Sequence, residues 1–179
     1  MAQCNTVSAA ETSFAAVALP HLDAAYNLAR WLVRDASAAD DVVQTAMLRA
    51  LDHFATFRGE NARGWLLSIV RNAAYNWLAE RRRGPLAFEE DTERRHAETP
   101  DPADNPEAAV VKGQNRLHLE RLLATLPPEL RECIVLRELE EMSYQQIADI
   151  TGVPIGTVMS RLWRARRILI KQAERSGVR

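Results

Sequence analysis

A chain of 179 residues, 47% apolar but only 6% aromatic and with seven glycines, is sized for one domain or two small ones and favours helix over sheet. Its net charge of −1 conceals a segregation: acids concentrate from Glu89 to Glu107, whereas Arg81, Arg82, Arg83 and the final helical stretch are strongly basic. Two polyanion-facing surfaces joined by an acidic connector are therefore expected. Cys4 and Cys133 form no disulfide framework and lack zinc-site spacing, so neither a metal nor a cofactor is expected, and Cys133 reads as a small buried hydrophobe. No signal-like start and no membrane-length apolar run occurs, which predicts a cytoplasmic chain without membrane insertion of its own.

Helical spacing dominates the first part, from about Phe14 to Arg83. Leu22, Ala25, Tyr26, Ala29 and Leu32 share one face; Val42, Val43, Ala46, Met47 and Ala50 a second; Trp65, Leu66, Ile69, Val70, Ala73 and Trp77 a third. Three or four helices around one core are predicted. Gly84 to Asn105 breaks the pattern, with prolines at its margins and almost no large apolar residue after Phe88, as in a flexible acidic linker. Helices resume near Pro106: one from Ala108 to Leu126, stopped by Pro127 and Pro128, and another from Glu129 to Glu140. The fold class is all-α, with small helical domains at 14–84 and 107–176 and a linker at 85–106.

The last third, SYQQIADITGVPIGTVMSRLWRARRIL, has the build of a helix-turn-helix. Ser143 and Gln146 form a capping box, each side chain able to satisfy the other's backbone N–H. Gly152 sits where the chain must leave the first helix with positive φ. Pro154 opens a second helix, its fixed φ and missing N–H harmless there. In that helix Val158, Leu162, Ala165 and Leu169 fall in one arc, with Thr157, Ser160, Arg164, Arg167 and Lys171 opposite. One face packs and the other is polar and cationic, the arrangement that sets a recognition helix in a DNA major groove.

These residues carry a family resemblance. The chain resembles the extracytoplasmic-function sigma factors, the minimal two-domain initiation factors of bacterial RNA polymerase, from Leu19 to Ala173. The motifs are DDVVQTAMLRAL at Asp40 to Leu51, FRGENARGWLLSIVRN at Phe57 to Asn72, and nearly all of the stretch from Leu126 to Leu169. The resemblance implies a non-enzymatic protein that directs promoter-specific initiation. Its expected partners are the clamp of the largest polymerase subunit, the flap of the second large subunit, promoter DNA and an anti-sigma factor.

Site residues follow from that resemblance. Asp41, Gln44, Thr45 and Leu48 match the polymerase-binding helix. The loop from Phe57 to Arg63 matches the pocket for a flipped minus-10 base, with Arg58, Asn61 and Arg63 as contacts and Asn61 as reader. Arg71 and Asn72 are expected to begin the helix flanking that loop, and Arg81, Arg82 and Arg83 to hold phosphates. Trp65 and Trp77 read as core. Thr157, Met159, Ser160, Trp163, Arg164 and Arg167 match the minus-35 face; Trp163 is open between packing on a sugar or thymine methyl and partial burial. Three positions depart from the family pattern: Met159 replaces a common Lys or Arg, Glu141 a usual Gly, and Thr45 a common Glu. A helix-turn-helix regulator acting without polymerase is the alternative reading. A recombinase-like enzyme would need converging carboxylates or a nucleophile and base, and the sequence offers neither.

Overall fold

The computed structural model describes residues 13–59, 61–83 and 118–175, all helices, turns and loops without a strand among them. Residues 85–106, expected to form the linker, and most of the helix expected at Ala108 to Leu126 lie outside the described residues. The first group comprises α1 (Phe14–Ala18), a 3-10 turn at Leu19–His21, α2 (Leu22–Val33), α3 (Ala36–His53), a second 3-10 turn at Phe54–Thr56, and α4 (Ala62–Arg83). The second comprises α5 (118–124), α6 (Pro128–Ile134) with a π-helical extension at Val135–Leu139, α7 (Tyr144–Thr151) and α8 (Ile155–Arg175).

Local chemistry sets each start. Ser13 caps α1 through Ala16 N–H at 3.2 Å, Asp35 caps α3 through Ala38 N–H at 2.9 Å, and Asn61 caps α4 through Gly64 N–H at 2.9 Å. Alanines at 25, 29, 39, 46, 50 and 74 are buried almost completely, so α2, α3 and α4 approach closely around Leu28, Leu66, Leu67 and Val70. Trp65 and Trp77 are half-buried against this core, as expected.

The segment expected as one helix from Glu129 to Glu140 is α-helical only to Ile134. It then widens into the π-helical turn, with Glu140 N–H reaching Val135 O at 3.1 Å. Glu141, where the family usually has Gly, adopts φ +54°, a left-handed conformation that costs an L side chain free energy. The capping box at Ser143 and Gln146 is complete, and Gly152 leaves α7 at φ +69°. Pro154 sits one residue earlier than expected: it precedes α8, and its carbonyl accepts from Thr157 and Val158 N–H.

The two groups pack on each other, α4 against α7 and α2 against α6. Arg131 of α6 is buried and donates to five backbone carbonyls. Leu123, Ala124 and Leu126 belong to its own group; Trp31 and Leu32, in the last turn of α2, belong to the other. A cation at helix C-terminal carbonyls satisfies orphan acceptors and opposes the dipole. Burial, and then the neighbouring Arg34, push this guanidinium down to about 10, which leaves it protonated at neutral pH.

Candidate nucleic-acid interface

Helix α8 buries Val158, Leu162 and Ala165 and turns Met159, Ser160, Trp163, Arg164 and Arg167 to solvent, with Thr157 half-buried at its edge. Trp163 is 58% exposed, which settles against its burial, and Arg167 lies over its ring at 4.7 Å. Ser160 donates to Thr157 O at 2.9 Å, while Arg164 Nε reaches Ser160 O at 3.3 Å. Arg161, on the same helix, turns inward instead.

On the first group, the segment before α4 is shaped by Gly59 at φ +86° and by the Asn61 cap. A Cβ on Gly64 would stand 2.5 Å from Asn61 Nδ2, so this glycine is what allows the cap to sit there. Phe54, Phe57 and Trp65 form an aromatic floor, Phe57 and Trp65 having ring centroids 4.8 Å apart. Arg58 and Asn61, on the same segment, are exposed. Arg71 and Asn72, expected to begin the flanking helix, lie in the middle of α4, which already starts at Ala62. The Asn61 cap fixes that earlier start. Asn72, Arg81, Arg82 and Arg83 are exposed, with Arg81 over the Trp77 ring at 5.3 Å.

On α3, Asp41, Gln44, Thr45 and Leu48 all face outward, Leu48 with 66% of its surface exposed. Beside them runs an open groove of about 540 Å³ whose apolar lining includes Phe14, Leu22, Met47 and Leu51, with Asp40 and Gln44 at its edge.

Arg63 and Arg71 are placed differently from the other candidate contacts. Arg71 reaches across to Glu132 of α6 through Nε to Oε2 at 2.7 Å and Nη2 to Oε1 at 3.3 Å, and it stacks on Tyr75 at 4.5 Å. Arg161 of α8 holds the same carboxylate at 3.0 Å. Arg63 pairs with Glu140, which also accepts from Asn27 at 3.4 Å. Burial raises the Glu132 carboxyl above its ordinary value, and the arginines only partly reverse this. For the less buried Arg71, the carboxylate returns more than burial removes, and its pKa rises. Sequence reasoning missed Arg131, Glu132 and Glu140. For Arg131 and Glu132 the signal was present: charged residues inside the apolar run LRECIVLREL, where a solvated face would have left a regular polar stripe; Glu140 follows that run and carried no such mark.

The sigma-70 region 2 family profile matches residues 18–84, and the sigma-70 region 4 profile matches residues 116–169. The chain belongs to the extracytoplasmic-function sigma factors. It is 38% identical over 134 residues to the ECF RNA polymerase sigma-E factor of Escherichia coli K12, covering 72% of this chain and 70% of that one. It is 35% identical over 144 residues to the RNA polymerase sigma-H factor of Pseudomonas aeruginosa, covering 78% of this chain and 75% of that one. The sigma factor RpoE of Bartonella quintana, solved in complex with the anti-sigma factor NepR, superposes with a TM-score of 0.70 at 27% identity, over 87% of this chain and 93% of that one. CnrH, solved with the cytosolic domain of CnrY, shares the fold at a TM-score of 0.65, 22% identity and coverage of 90% and 87%. As a sigma factor, the chain directs core RNA polymerase to promoters, in a family that is not an enzyme class. No helix of the described residues is long and apolar enough to cross a membrane.

Proposed function

We propose that residues 107–176 of this sigma factor read the minus-35 duplex through Thr157, Met159, Ser160, Trp163, Arg164 and Arg167. Residues 14–84 then bind the polymerase clamp through Asp41, Gln44, Thr45 and Leu48. They capture the minus-10 strand through Arg58, Asn61, Arg63, Arg71, Asn72, Arg81 and Arg82, with residues 85–106 as the tether. The observation that carries this reading is the solvent-facing polar and cationic side of α8, presented by a capped helix-turn-helix whose opposite side buries Val158, Leu162 and Ala165.

The protein acts in the cytoplasm, without catalysis of its own, and an anti-sigma factor is its third partner. The superposition on RpoE from the NepR complex supports that partner, since this chain packs its two groups in a comparable pose. In that pose Arg63 and Arg71 are engaged by Glu140 and Glu132, so minus-10 capture requires the groups to separate. An inhibitor that binds both groups would hold them together.

Run-off transcription with core polymerase on the promoter of its own operon tests the reading. Arg164→Ala should cost about 1 to 3 kcal/mol of minus-35 binding if the guanidinium makes a bidentate base contact. Transcription by the chain that is indifferent to both promoter elements would refute the assignment.

A further inference from the structure

The exposed face of α8 is divided along its length. Ile155, Met159 and Trp163 are 44%, 53% and 58% exposed and recur at intervals of four, so at about 100° per residue they form one apolar ridge. Thr157, Ser160 and Arg164 occupy the other flank, with Arg167 between, lying over the Trp163 ring. From Ile155 to Ala173 the helix contains no acid, while Arg161, Arg164, Arg166, Arg167 and Lys171 supply cations. An apolar ridge meant for a protein helix is ordinarily bordered by charges of both signs. Along α8 this one is bordered by cations and hydroxyls, and the acid beside it, Glu138, is paired with Arg166 at 2.7 Å, which leaves a net cationic border that complements a polyanion with apolar spots.

Duplex DNA has one such spot per A·T pair in the major groove, the 5-methyl group of thymine. Resting on the minus-35 reading above, we propose that Met159 and Trp163 are specificity-determining residues that select thymine by its 5-methyl group, while the opposite flank makes the hydrogen bonds. Met159 is central. A cation at this position would favour phosphates or guanine, whereas a thioether on a flexible unbranched chain has no hydrogen bond to offer a base edge and gains free energy only from apolar contact. The four-residue step places Met159 and Trp163 side by side on successive turns, so they meet neighbouring base pairs rather than the same one.

The test uses the holoenzyme assembled with core RNA polymerase. A minus-35 sequence is first selected from randomised duplexes. Each thymine of the selected element is then replaced singly by deoxyuridine, which removes the methyl group and leaves every hydrogen-bonding atom in place. One or two positions should weaken binding about fourfold, the value of burying one methyl-sized group. The same replacements should be neutral in Met159→Ala or Trp163→Ala, whose wild-type side chains are exposed and outside the core. Deoxyuridine without effect at every position, or an effect unchanged in both variants, would overturn the proposal and leave the minus-35 assignment standing. Weakened core polymerase binding by Met159→Ala with unaltered duplex selection would assign the ridge to a protein surface and also overturn it. Failure of the holoenzyme to select any minus-35 sequence would instead refute the underlying reading, and this inference with it.

Discussion

Replacing Arg71 with alanine removes one of two arginines from a carboxylate that has no access to water. The Glu132 side chain is 0% exposed, and those of Arg71 and Arg161 are each 17% exposed. Losing one partner of a buried pair costs about 3 to 5 kcal/mol, and the remaining Arg161 contact at 3.0 Å sets the expectation at about 3 kcal/mol. Glu132→Gln should be milder, about 1 to 2 kcal/mol, because burial already penalises the carboxylate and an amide can still accept from both arginines. The double variant buries no uncompensated carboxylate, so its loss should fall short of the sum by about 1 to 2 kcal/mol. Urea unfolding followed by circular dichroism measures the cycle. If the packing of the two groups is worth less than the loss, the single variant opens without unfolding, and small-angle scattering reports a larger radius of gyration. Additivity within about 0.5 kcal/mol together with an unchanged radius would refute the reasoning.

Acid adds an independent check with a definite sign. The Glu132 carboxyl is raised in the folded state above its ordinary value of 4.5, so the folded chain takes up this proton before the unfolded chain does. The stability linked to that proton is therefore present at low pH and lost as pH rises through the folded pKa. Without Arg71 the carboxyl rises further. The deficit of Arg71→Ala should then shrink as pH is lowered from neutrality toward the ordinary carboxylate range, and the deficit of Arg71→Ala with Glu132→Gln should stay flat. A deficit that grows on acidification would contradict the burial argument.

Arg131→Met should lower the melting temperature more than Arg164→Ala does. It strips five carbonyls of their donor and costs at least about 3 kcal/mol, measurable by scanning calorimetry. Glu141→Gly should raise stability by about 0.5 to 1 kcal/mol in urea, since relief of the left-handed strain at φ +54° outweighs the added freedom of the unfolded chain; a net loss would mean that the strain is absent. Changing both Asp41 and Gln44 to alanine should weaken core polymerase binding while leaving helicity and melting temperature unchanged, because both side chains are exposed on α3.

The helix-turn-helix was legible because its determinants are local. A capping box, a left-handed glycine and a 3.6-residue apolar period each act within a few residues of chain, and all appear where the sequence places them. The core of the first group was legible for the same reason: the apolar faces of α2 and α3 are the ones buried, except that Leu22 is 37% exposed and Tyr26 and Met47 are only half-buried. The association of the two groups was not legible, because it depends on contacts between residues far apart in the chain. Arg71 and Glu132 are separated by 61 positions, and Arg63 and Glu140 by 77. The sequence marks Arg63 only as a loop cation, although α4 already starts at Ala62, and Arg71 only as a helical one, and it cannot say whether a phosphate or a buried glutamate receives them. The π-helical turn escaped because nothing in the Glu129 to Glu140 pattern distinguishes it from a regular helix of the same length.

The packed pose treats the candidate surfaces unequally, and this bears on the order of events. The outward face of α3 and the outward face of α8 are exposed while the groups are together, whereas Arg71 on α4 is largely covered and Arg63, 36% exposed, is held by Glu140. On the assignments proposed above, polymerase and minus-35 duplex can engage first, and minus-10 capture carries the cost of breaking the Glu132 and Glu140 contacts. That cost raises the apparent dissociation constant for the minus-10 strand by the reciprocal of the separated fraction, and each kcal/mol of interface free energy is worth about a fivefold change. Arg71 makes the trade explicit, because one guanidinium cannot serve the buried carboxylate and a backbone phosphate together. Weakening the interface from the other side, by Glu140→Gln, removes no proposed DNA contact. It should therefore increase minus-10 strand binding, and unchanged or weaker binding by this variant would show that separation of the groups does not limit promoter engagement.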